Sequence, residues 1–361
     1  MSALDNKAIL KIFLLVIITT AVLLFISHKP SPADNRPASD FLEPDPSPAP
    51  IATPLSSTTI FFAGDIMLSR NVAGRMIKAN DYTLPFKNVM EVTKNADIAF
   101  ANLESPFNDE GKYFVEGSLE FNADPKSVDG LKFAGFDVLS TANNHAFDQG
   151  QKGLNYTIDL LQNNGIIPTG TLSSTQSPPE PVIKHNDILY GFLSYSYTAY
   201  NDGGKSTSRY INDFKNLPQL KQDILDMRGH TADVVIVNMH SGIEYMRTPT
   251  ISQVAFAHAA IDAGASLVVG QHPHWIQTIE QYKDKWIFYS LGNFVFDQMW
   301  STDTREGLTL LVTYDKSEIK KIELKPVIID DYCCPRFANP EETLAILRKI
   351  DLTNPILIDK N

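Results

Sequence analysis

Cysteine is scarce in this sequence, whose 361 residues include just two, Cys333 and Cys334. Adjacent cysteines cannot build a disulfide framework that closes long loops, and their spacing does not match the ligand pairs of a structural zinc site. We therefore expect no chemical role for either thiol. The scarcity itself does not indicate an oxidising or a reducing compartment.

Positive charge is also in short supply. The chain has 31 Lys and Arg residues against 42 Asp and Glu residues, which gives a net charge of -11. Nucleic-acid binding needs a basic face that displaces counterions from phosphates, so we exclude nucleic acid as a partner. The sequence also lacks a Gly-x-x-x-x-Gly-Lys-Ser/Thr loop. The chain should therefore not supply an ATP-driven ligation step by itself, and partner proteins are expected.

A long apolar run lies near the beginning of the chain, from Ile9 to Ile26, and Lys11 is its one charged residue. A helix needs roughly 17–25 apolar residues to cross a bilayer, so the run predicts a transmembrane helix. A cleaved signal peptide is the alternative, but no small-x-small cleavage site follows Ile26. We favour an uncleaved single-pass anchor over residues 1–28, in the cell membrane, with the bulk of the chain outside the cytoplasm.

Composition divides the rest of the chain into three segments. Residues 29–57 are rich in proline, serine and acidic residues, which predicts a semi-extended linker without a core of its own. A folded domain is expected over residues 58–330. Residues 331–361 are expected to form a C-terminal extension with a short helix from Glu341 to Ile350.

Apolar runs and helical patterns alternate along the folded domain, which predicts a layered α/β fold. The clearest unit has a continuous apolar strand at Val234–Val237, a helix at Ile251–Ala263 and a second strand at Leu267–Val269. Further strands are predicted at 59–63, 97–101, 137–141, 188–195 and 286–291, further helices around 154–164 and 217–228, and a hairpin at 307–314 and 319–329.

Polar residues of the kinds that bind metals follow most of these strands. They are Asp65, Asn102, Glu104, Asn144, His145, His240, His272 and His274. Because the carboxyl ends of parallel strands meet at one edge of a sheet, we expect these side chains to lie together. Mixed carboxylate, amide and imidazole ligands suit Mn²⁺, Zn²⁺ or Fe²⁺, and this set is large enough to hold two ions.

A pair of divalent ions can clamp both ends of an in-line displacement at phosphorus. In such a site Asp65 would bridge the ions and His145 would protonate the leaving oxygen, so these two are the candidate catalytic residues. Asp65 and the remaining six residues of this set, all except His145, are the candidate metal ligands. Glu244 and Tyr245 follow His240 closely and would either contact the substrate or pack at the rim of the site.

A few neighbouring residues receive weaker expectations. Asp148 and Gly150 are expected to shape the turn after the Asn-His pair rather than bind metal. Arg70 and Arg75 are expected on a solvated helix face, although one of them could meet an anionic substrate. Asn293, at the end of a strand, is a weaker site candidate.

Several segments taken together, GDIML, ANLESP, TANNHAFDQG, VNMHSGIEY and GQHPHW, resemble the bacterial capsule synthesis family of CapA/PgsA-type proteins, which belongs to the calcineurin-like metallophosphatase superfamily. The resemblance covers about Thr58 to Phe296. It implies a four-layer α/β/β/α sandwich. It also implies a role in making or exporting an anionic capsule polymer such as poly-γ-glutamate.

The resemblance assigns roles to individual positions of this chain. Gly64-Asp65 corresponds to the first metal motif, Asn144-His145 to a ligand and a substrate-side histidine, His240 to a lone histidine ligand, and His272 with His274 to the final His-x-His pair. One position departs from the superfamily. Its first motif is Asp-x-His, and here Met67 stands where that histidine is expected. Glu104 would replace the missing ligand, and the departure argues against ordinary phosphatase activity.

Three functions remain open at this point. The first is a membrane-anchored, metal-dependent hydrolase or transferase of capsule or poly-γ-glutamate biosynthesis. The second is a non-catalytic accessory subunit that holds the anionic polymer or the synthase subunits in the membrane. The third is a general external metallophosphoesterase.

Overall fold

The computed structural model describes residues 57–174, 181–197 and 210–359, and the strands within them form two sheets. In chain order these strands are β1 (Thr58–Ile66), β2 (Ile98–Leu103), β3 (Val138–Ser140), β4 (Ile167–Thr169), β5 (Val182–His185), β6 (Ile188–Ser196), β7 (Val234–His240), β8 (Leu267–Gln271), β9 (Ile279–Tyr282), β10 (Lys285–Phe288), β11 (Asn293–Val295), β12 (Glu306–Asp315), β13 (Glu318–Asp330), β14 (Cys334–Phe337) and β15 (Ile356–Asp359).

Helices connect many of the strands. They are α1 (Arg70–Ala79), α2 (Met90–Asn95), α3 (Val128–Ala134), α4 (Gly150–Asn163), α5 (Leu217–His230), α6 (Ile251–Ala263), α7 (Thr302–Arg305) and α8 (Pro340–Arg348), with 3₁₀ turns at Leu84–Phe86 and Pro125–Ser127. The structure of α6 shows why its bounds were predictable from the sequence. Thr250 and Gln253 form a capping box at its beginning, and Gly264 ends it in the left-handed conformation.

The first sheet is parallel in its middle and antiparallel at one side. Strands β1, β2, β3 and β4 pair in parallel in that order, and β11 lies parallel to the end of β1. On the other side of β1, strands β12 and β13 form the predicted hairpin, with all pairs antiparallel. The hairpin is therefore confirmed.

The second sheet contains the strands from the middle of the chain. Its order is β5-β6-β7-β8-β10-β9, and the four inner strands β6, β7, β8 and β10 are parallel. Every residue of β7 and β8 is buried, as expected for strands that are covered on both faces. The strand predicted at 286–291 is shorter than expected, because β10 ends at Phe288 and β11 begins separately at Asn293.

The two sheets pack face to face, and helices cover the outer face of each. Between the sheets, Phe100 of β2 stacks on Phe192 of β6 with ring centroids 5.7 Å apart. Residues of α1 and α3, such as Met76 and Leu131, pack on the outer face of the first sheet. Residues of α5 and α6, such as Phe256, pack on the outer face of the second sheet. The layered α/β class that the sequence predicts is confirmed.

The segment after Asp330, expected as an extension, contributes to the first sheet. Strands β14 and β15 both pair with β13, and Ile346 and Leu347 of α8 join the core between the sheets. Cys333 and Cys334 are joined to each other by a disulfide. The two sulfurs are thus bonded to each other and are not free thiols.

No helix within the described ranges is long and apolar enough to cross a membrane. The predicted anchor at Ile9–Ile26 and the predicted linker up to residue 56 lie outside those ranges, so both remain predictions.

Candidate metal centre

The carboxyl ends of the parallel strands of both sheets meet at one site. Asp65 lies near the end of β1, Glu104 follows β2, and His240 is the last residue of β7. The complete set of predicted ligands is buried here, with at most 6% exposure: Asp65, Asn102, Glu104, Asn144, His240, His272 and His274. The structure therefore brings together every residue that the sequence proposed as a ligand.

Gly64 determines where Asp65 lies. A Cβ atom at position 64 would come within 1.9 Å of the Gly292 carbonyl oxygen, so this close approach requires glycine. The same carbonyl accepts a hydrogen bond from the Asp65 backbone N–H at 3.1 Å. The Asp65 carboxylate accepts hydrogen bonds from the Asn102 side-chain amide (2.8 Å) and from the His272 backbone N–H (3.2 Å).

The Glu104 carboxylate lies in electrostatically unfavourable surroundings. Its side chain is completely buried, and both carboxylate oxygens lack a hydrogen-bond partner. Three imidazole nitrogens surround its Oε1: Nε2 of His145 at 3.8 Å, Nε2 of His240 at 3.8 Å and Nε2 of His274 at 4.0 Å. A buried carboxylate without donors is costly unless a cation compensates it. These residues therefore fit a metal ion.

The potential ligand atoms form two overlapping groups. One group consists of Glu104, His240 and His272, and the other of Asp65, Glu104 and His274, with the ligand atoms of each within 4.8 Å of one another. Glu104 is the carboxylate common to both groups. Asp65 belongs to one of these groups, and its Oδ1 also lies 3.7 Å from Nδ1 of His240 in the other, so its role as the bridging ligand stays a prediction.

Hydrogen bonds orient the two histidines that follow β8. His274 Nδ1 lies 2.9 Å from Asn293 Oδ1, which directs its Nε2 towards Glu104. His272 Nε2 lies 3.0 Å from the Tyr197 hydroxyl, and its buried Nδ1 has no partner. Partners of this kind fix the tautomer of a metal-ligating imidazole. His272 and His274 also have positive φ angles of 99° and 57°, a backbone strain that is typical of functional sites.

Two asparagines contact His240 in different ways. Asn144 accepts a hydrogen bond through Oδ1 from His240 Nε2 at 2.8 Å, so its oxygen faces the centre as a ligand would. Asn102 instead turns its amide nitrogen to Asp65 and to His240 Nδ1, while its oxygen accepts from Asn143 at 3.2 Å. In this arrangement Asn102 orients two other candidate ligands, and its own role as a ligand stays a prediction. Asn143 holds the Asn102 side chain in this orientation, and the sequence did not single it out.

Burial shifts the pKa values of the whole group. It raises the pKa of Asp65 from 3.8 to about 7, against the lowering effect of the hydrogen bond from Asn102. Burial, together with the charges of Asp65 and Glu244, raises the pKa of Glu104 well above its usual value. Burial also lowers the pKa of His240 and His272 well below 6.5, and that of His274 to about 3. The imidazoles are therefore neutral at pH 7, as metal binding requires.

His145 lies beside this group with a carboxylate partner. Its Nδ1 is 2.7 Å from Asp148 Oδ2, and its ring stacks on Phe121 with centroids 3.8 Å apart. Asp148 also accepts a hydrogen bond from the Phe121 backbone N–H at 2.6 Å. The expectation that Asp148 shapes a turn was thus incomplete. Its spacing of three residues from His145 was the available signal.

The candidate substrate residues lie at the rim. Glu244 is exposed, and Tyr245 stacks against His274 with ring centroids 5.9 Å apart. Burial and the charge of Glu244 raise the pKa of Tyr245. The Tyr245 ring also contacts Trp300 at 4.9 Å, and Gln298 donates a hydrogen bond to its hydroxyl at 3.2 Å. Both residues thus border the centre without belonging to the potential ligand groups.

Comparison with known proteins identifies the family. The family described as bacterial capsule synthesis protein PGA_cap matches residues 59–298, which include every candidate site residue. The chain belongs to the PGA_cap family. This PGA_cap chain is 35% identical over 265 residues to the capsule biosynthesis protein CapA of Bacillus anthracis. The alignment covers 71% of this chain and 63% of that relative. It is 32% identical over 276 residues to the PGA biosynthesis protein CapA of Bacillus subtilis (strain 168), covering 75% and 71%.

The likeness to solved structures is weaker. The NAD nucleotidase NadN of Haemophilus influenzae is 10% identical with a TM-score of 0.47, and the alignment covers 82% of this PGA_cap chain and 63% of that protein. A score at this level supports no inference about chemistry.

Proposed function

We propose that this protein acts in the biosynthesis or export of a capsule polymer of the poly-γ-glutamate type, as a metal-dependent hydrolase or transferase. The completely buried Glu104, with two unpaired carboxylate oxygens among three histidines, carries the metal part of the proposal. Membership of the PGA_cap family and the CapA relatives carry the polymer part.

The proposal assigns ligands from the two groups described above. Asp65, Glu104 and His274 would hold one ion, and Glu104, His240 and His272 a second, with the Asn144 oxygen beside them. When bound, divalent ions such as Mn²⁺, Zn²⁺ or Fe²⁺ would supply Lewis-acid polarisation of a phosphoester or amide-type bond. Asn102 and Asn293 would keep the ligand side chains in place.

His145 would act as the proton donor to the leaving group. Asp148 holds Nδ1 of the ring, so Nε2 is the atom that faces Glu104 and would carry the transferred proton. Phe121 packs against the ring and restricts its orientation. The His145–Asp148 pair could thus deliver the Nε2 proton of His145 to an atom held near Glu104.

We also propose that the chain is anchored in the cell membrane by its N-terminal apolar run and works there with synthase subunits. The apolar run Ile9–Ile26 and the proline-rich segment that follows it support this proposal.

Metal content is the first measurement. The full-length chain, reconstituted with Mn²⁺ or Zn²⁺, should retain about one to two ions per chain by elemental mass spectrometry. Glu104→Gln should lose the most metal, because this carboxylate belongs to both groups. Asp65→Asn and His272→Ala should each lose part of it.

His258→Ala is the matched control for these variants. His258 lies in α6, bonds Glu280 at 2.9 Å and stacks on Tyr282, away from the centre. Its replacement should leave the metal content unchanged. A wild-type protein that holds no metal above background would sink the hydrolase proposal.

A non-catalytic accessory role is the second candidate, and Met67 favours it. This methionine stands where the superfamily motif has a histidine, so the position offers no imidazole ligand. The Met67 side chain is completely buried, and its sulfur accepts a hydrogen bond from the Ser69 backbone N–H at 3.1 Å. This candidate predicts binding of a glutamate polymer without turnover. Incubating the metal-loaded protein with the polymer and following its chain length would distinguish the two.

A further inference from the structure

One arginine lies at the wall of the metal centre, although the sequence placed it on a solvated helix face. Arg70 begins α1, and its side chain is 12% exposed. Burial dominates the pKa shifts of Glu104 and His274, and Arg70 acts on both as well.

The guanidinium of Arg70 is held firmly. It forms an ion pair with Asp297 and donates a hydrogen bond to the Ser118 carbonyl oxygen at 3.2 Å. Asp297 is fixed in turn by the backbone and side-chain N–H groups of Asn71, at 3.2 and 3.1 Å. A cation fixed in this way loses little conformational entropy when it binds a ligand.

Aromatic rings connect this cation with the histidines of the centre. The guanidinium carbon lies 4.8 Å from the centroid of Phe121 and 5.6 Å from that of Phe296. Phe121 stacks on His145, and Phe296 packs against His274 with centroids 4.8 Å apart. The Phe121 ring thus lies between Arg70 and the candidate proton donor His145. The Phe296 ring lies between Arg70 and the candidate ligand His274.

The hydrogen-bonding capacity of Arg70 is not used up by the protein. A guanidinium has five N–H donors. Within the described residues, Asp297 and Ser118 accept from the terminal nitrogens, and the buried Nε has no partner. Leaving a buried donor unpaired is unfavourable. Arg70 also has a positive φ of 50°, a strain that is found preferentially at ligand sites.

We propose that Arg70 binds an oxyanion of the substrate, a carboxylate or a phosphate, next to the metal centre. The planar fork of a guanidinium matches the geometry of both groups. The inference deepens the proposed function and rests on it: the substrate would be an anion whose reacting bond lies at the metal centre while a neighbouring oxyanion lies on Arg70.

Two substitutions separate charge from geometry. Arg70→Gln removes the charge, and Arg70→Lys keeps it without the planar fork. In full-length protein we expect Arg70→Gln to weaken binding of inorganic phosphate or of a γ-linked triglutamate by about tenfold or more, and Arg70→Lys to be intermediate. Calorimetric titration would measure both ligands, with metal-loaded and with chelator-treated protein, beside metal content and thermal stability.

Arg75→Gln is the matched control, because Arg75 lies on the same helix and pairs with the exposed Asp331. It should bind both ligands like the wild type. An effect at Arg70 restricted to phosphate, or restricted to triglutamate, supports the proposal and identifies the oxyanion. Unchanged binding of both ligands by fully metallated Arg70 variants would overturn it, as would loss of metal from both variants.

These results are distinguishable from failure of the proposed function. A wild-type chain without metal would refute the hydrolase. Binding of triglutamate to chelator-treated protein would still test Arg70, because an ionic contact to its guanidinium does not require the metal.

Discussion

Asp148 and Asn293 act on histidines of the centre through the same ring atom. Each places a side-chain oxygen within hydrogen-bond distance of Nδ1, at 2.7 Å for His145 and 2.9 Å for His274. A neutral amide and a carboxylate differ in consequence, however. Both fix the orientation of a ring, and the carboxylate, as an ionised acceptor, forms the stronger hydrogen bond to a ring that has to be positioned for proton transfer.

Replacing Asp148 by Asn should therefore reduce turnover without removing metal. Asn would keep an oxygen for the Phe121 backbone N–H, but its neutral amide would hold Nδ1 of His145 more weakly than a carboxylate and could reverse the tautomer of the ring. We expect the rate with any substrate that the wild type turns over to fall about 10²–10⁴-fold. Rates across the pH range and metal content would be measured on the same preparation.

His145→Gln provides the comparison, since it removes the proton donor itself. The two variants should show similar losses, and the double variant should lose little more. A rate for Asp148→Asn within about twofold of the wild-type rate would contradict the assigned role.

At this scale the sequence predicted identities but not orientations. It identified Glu104, His240 and the residues that follow β8, because polar side chains after buried strands are visible in a sequence. It did not show that the nitrogen of Asn102 faces the centre or that Arg70 is partly buried. Such features depend on contacts with residues distant in the chain, such as Asn143 and Asp297.

At the scale of elements, the end of β1 is the most constrained strand segment in the site. The pairing of β1 with β2 and with β11 shifts in register close to Asp65. The irregularity lets β1 approach the Gly292 carbonyl and turns the Asp65 carboxylate towards Asn102 and His272. A local break in ladder geometry is a common way to aim a functional side chain.

Gly64→Ala should consequently destabilise the fold. The added methyl would lie 1.9 Å from the Gly292 oxygen, so the backbone must move. We expect a loss of about 1–3 kcal/mol in the free energy of unfolding, measured in urea, together with reduced metal content.

Gly229→Ala is the natural control. Position 229 lies in α5, and a Cβ atom there would meet nothing within 4 Å. Because alanine favours helix over glycine, this variant should be unchanged or more stable by up to about 1 kcal/mol. Equal stability of Gly64→Ala and wild type would show that the contact relaxes easily.

Elements with strong local signals were predictable. The bounds of α6 agree with the prediction because its capping box and terminal glycine are encoded within a few residues. The end of β10 was not predictable, because Tyr289 and Leu291 continue the apolar pattern of a strand, whereas the hydrogen bonds of their backbone with Gln253 and Gly270 join residues that are distant in the sequence. Likewise, nothing local indicates that β14 and β15 pair with β13.

At the scale of the whole molecule, metal uptake should depend on pH. Burial raises the pKa of Asp65 to about 7 and that of Glu104 well above its usual value, so the metal-free protein holds protons on these carboxyls that a cation must displace. His274, with a pKa of about 3, stays neutral and adds no dependence near neutrality. The apparent affinity should therefore rise with pH up to at least about pH 7, by about tenfold per unit for each proton released.

Competition with a chelator between about pH 5.5 and 8 would measure this slope. Asp65→Asn should make the slope shallower, because the amide has no proton to release and the remaining dependence comes from Glu104. A wild-type affinity that does not change across the range would show that Asp65 does not titrate there.

The distribution of the ligands over the two sheets has a mechanical consequence. Asp65 and Glu104 come from the first sheet, and His240, His272 and His274 come from the second. A cation bound by both would act as a cross-link between parts of the chain that are far apart in sequence. Neither sheet could then separate from the other without releasing it, so ion release would report the earliest opening of the interface between the sheets.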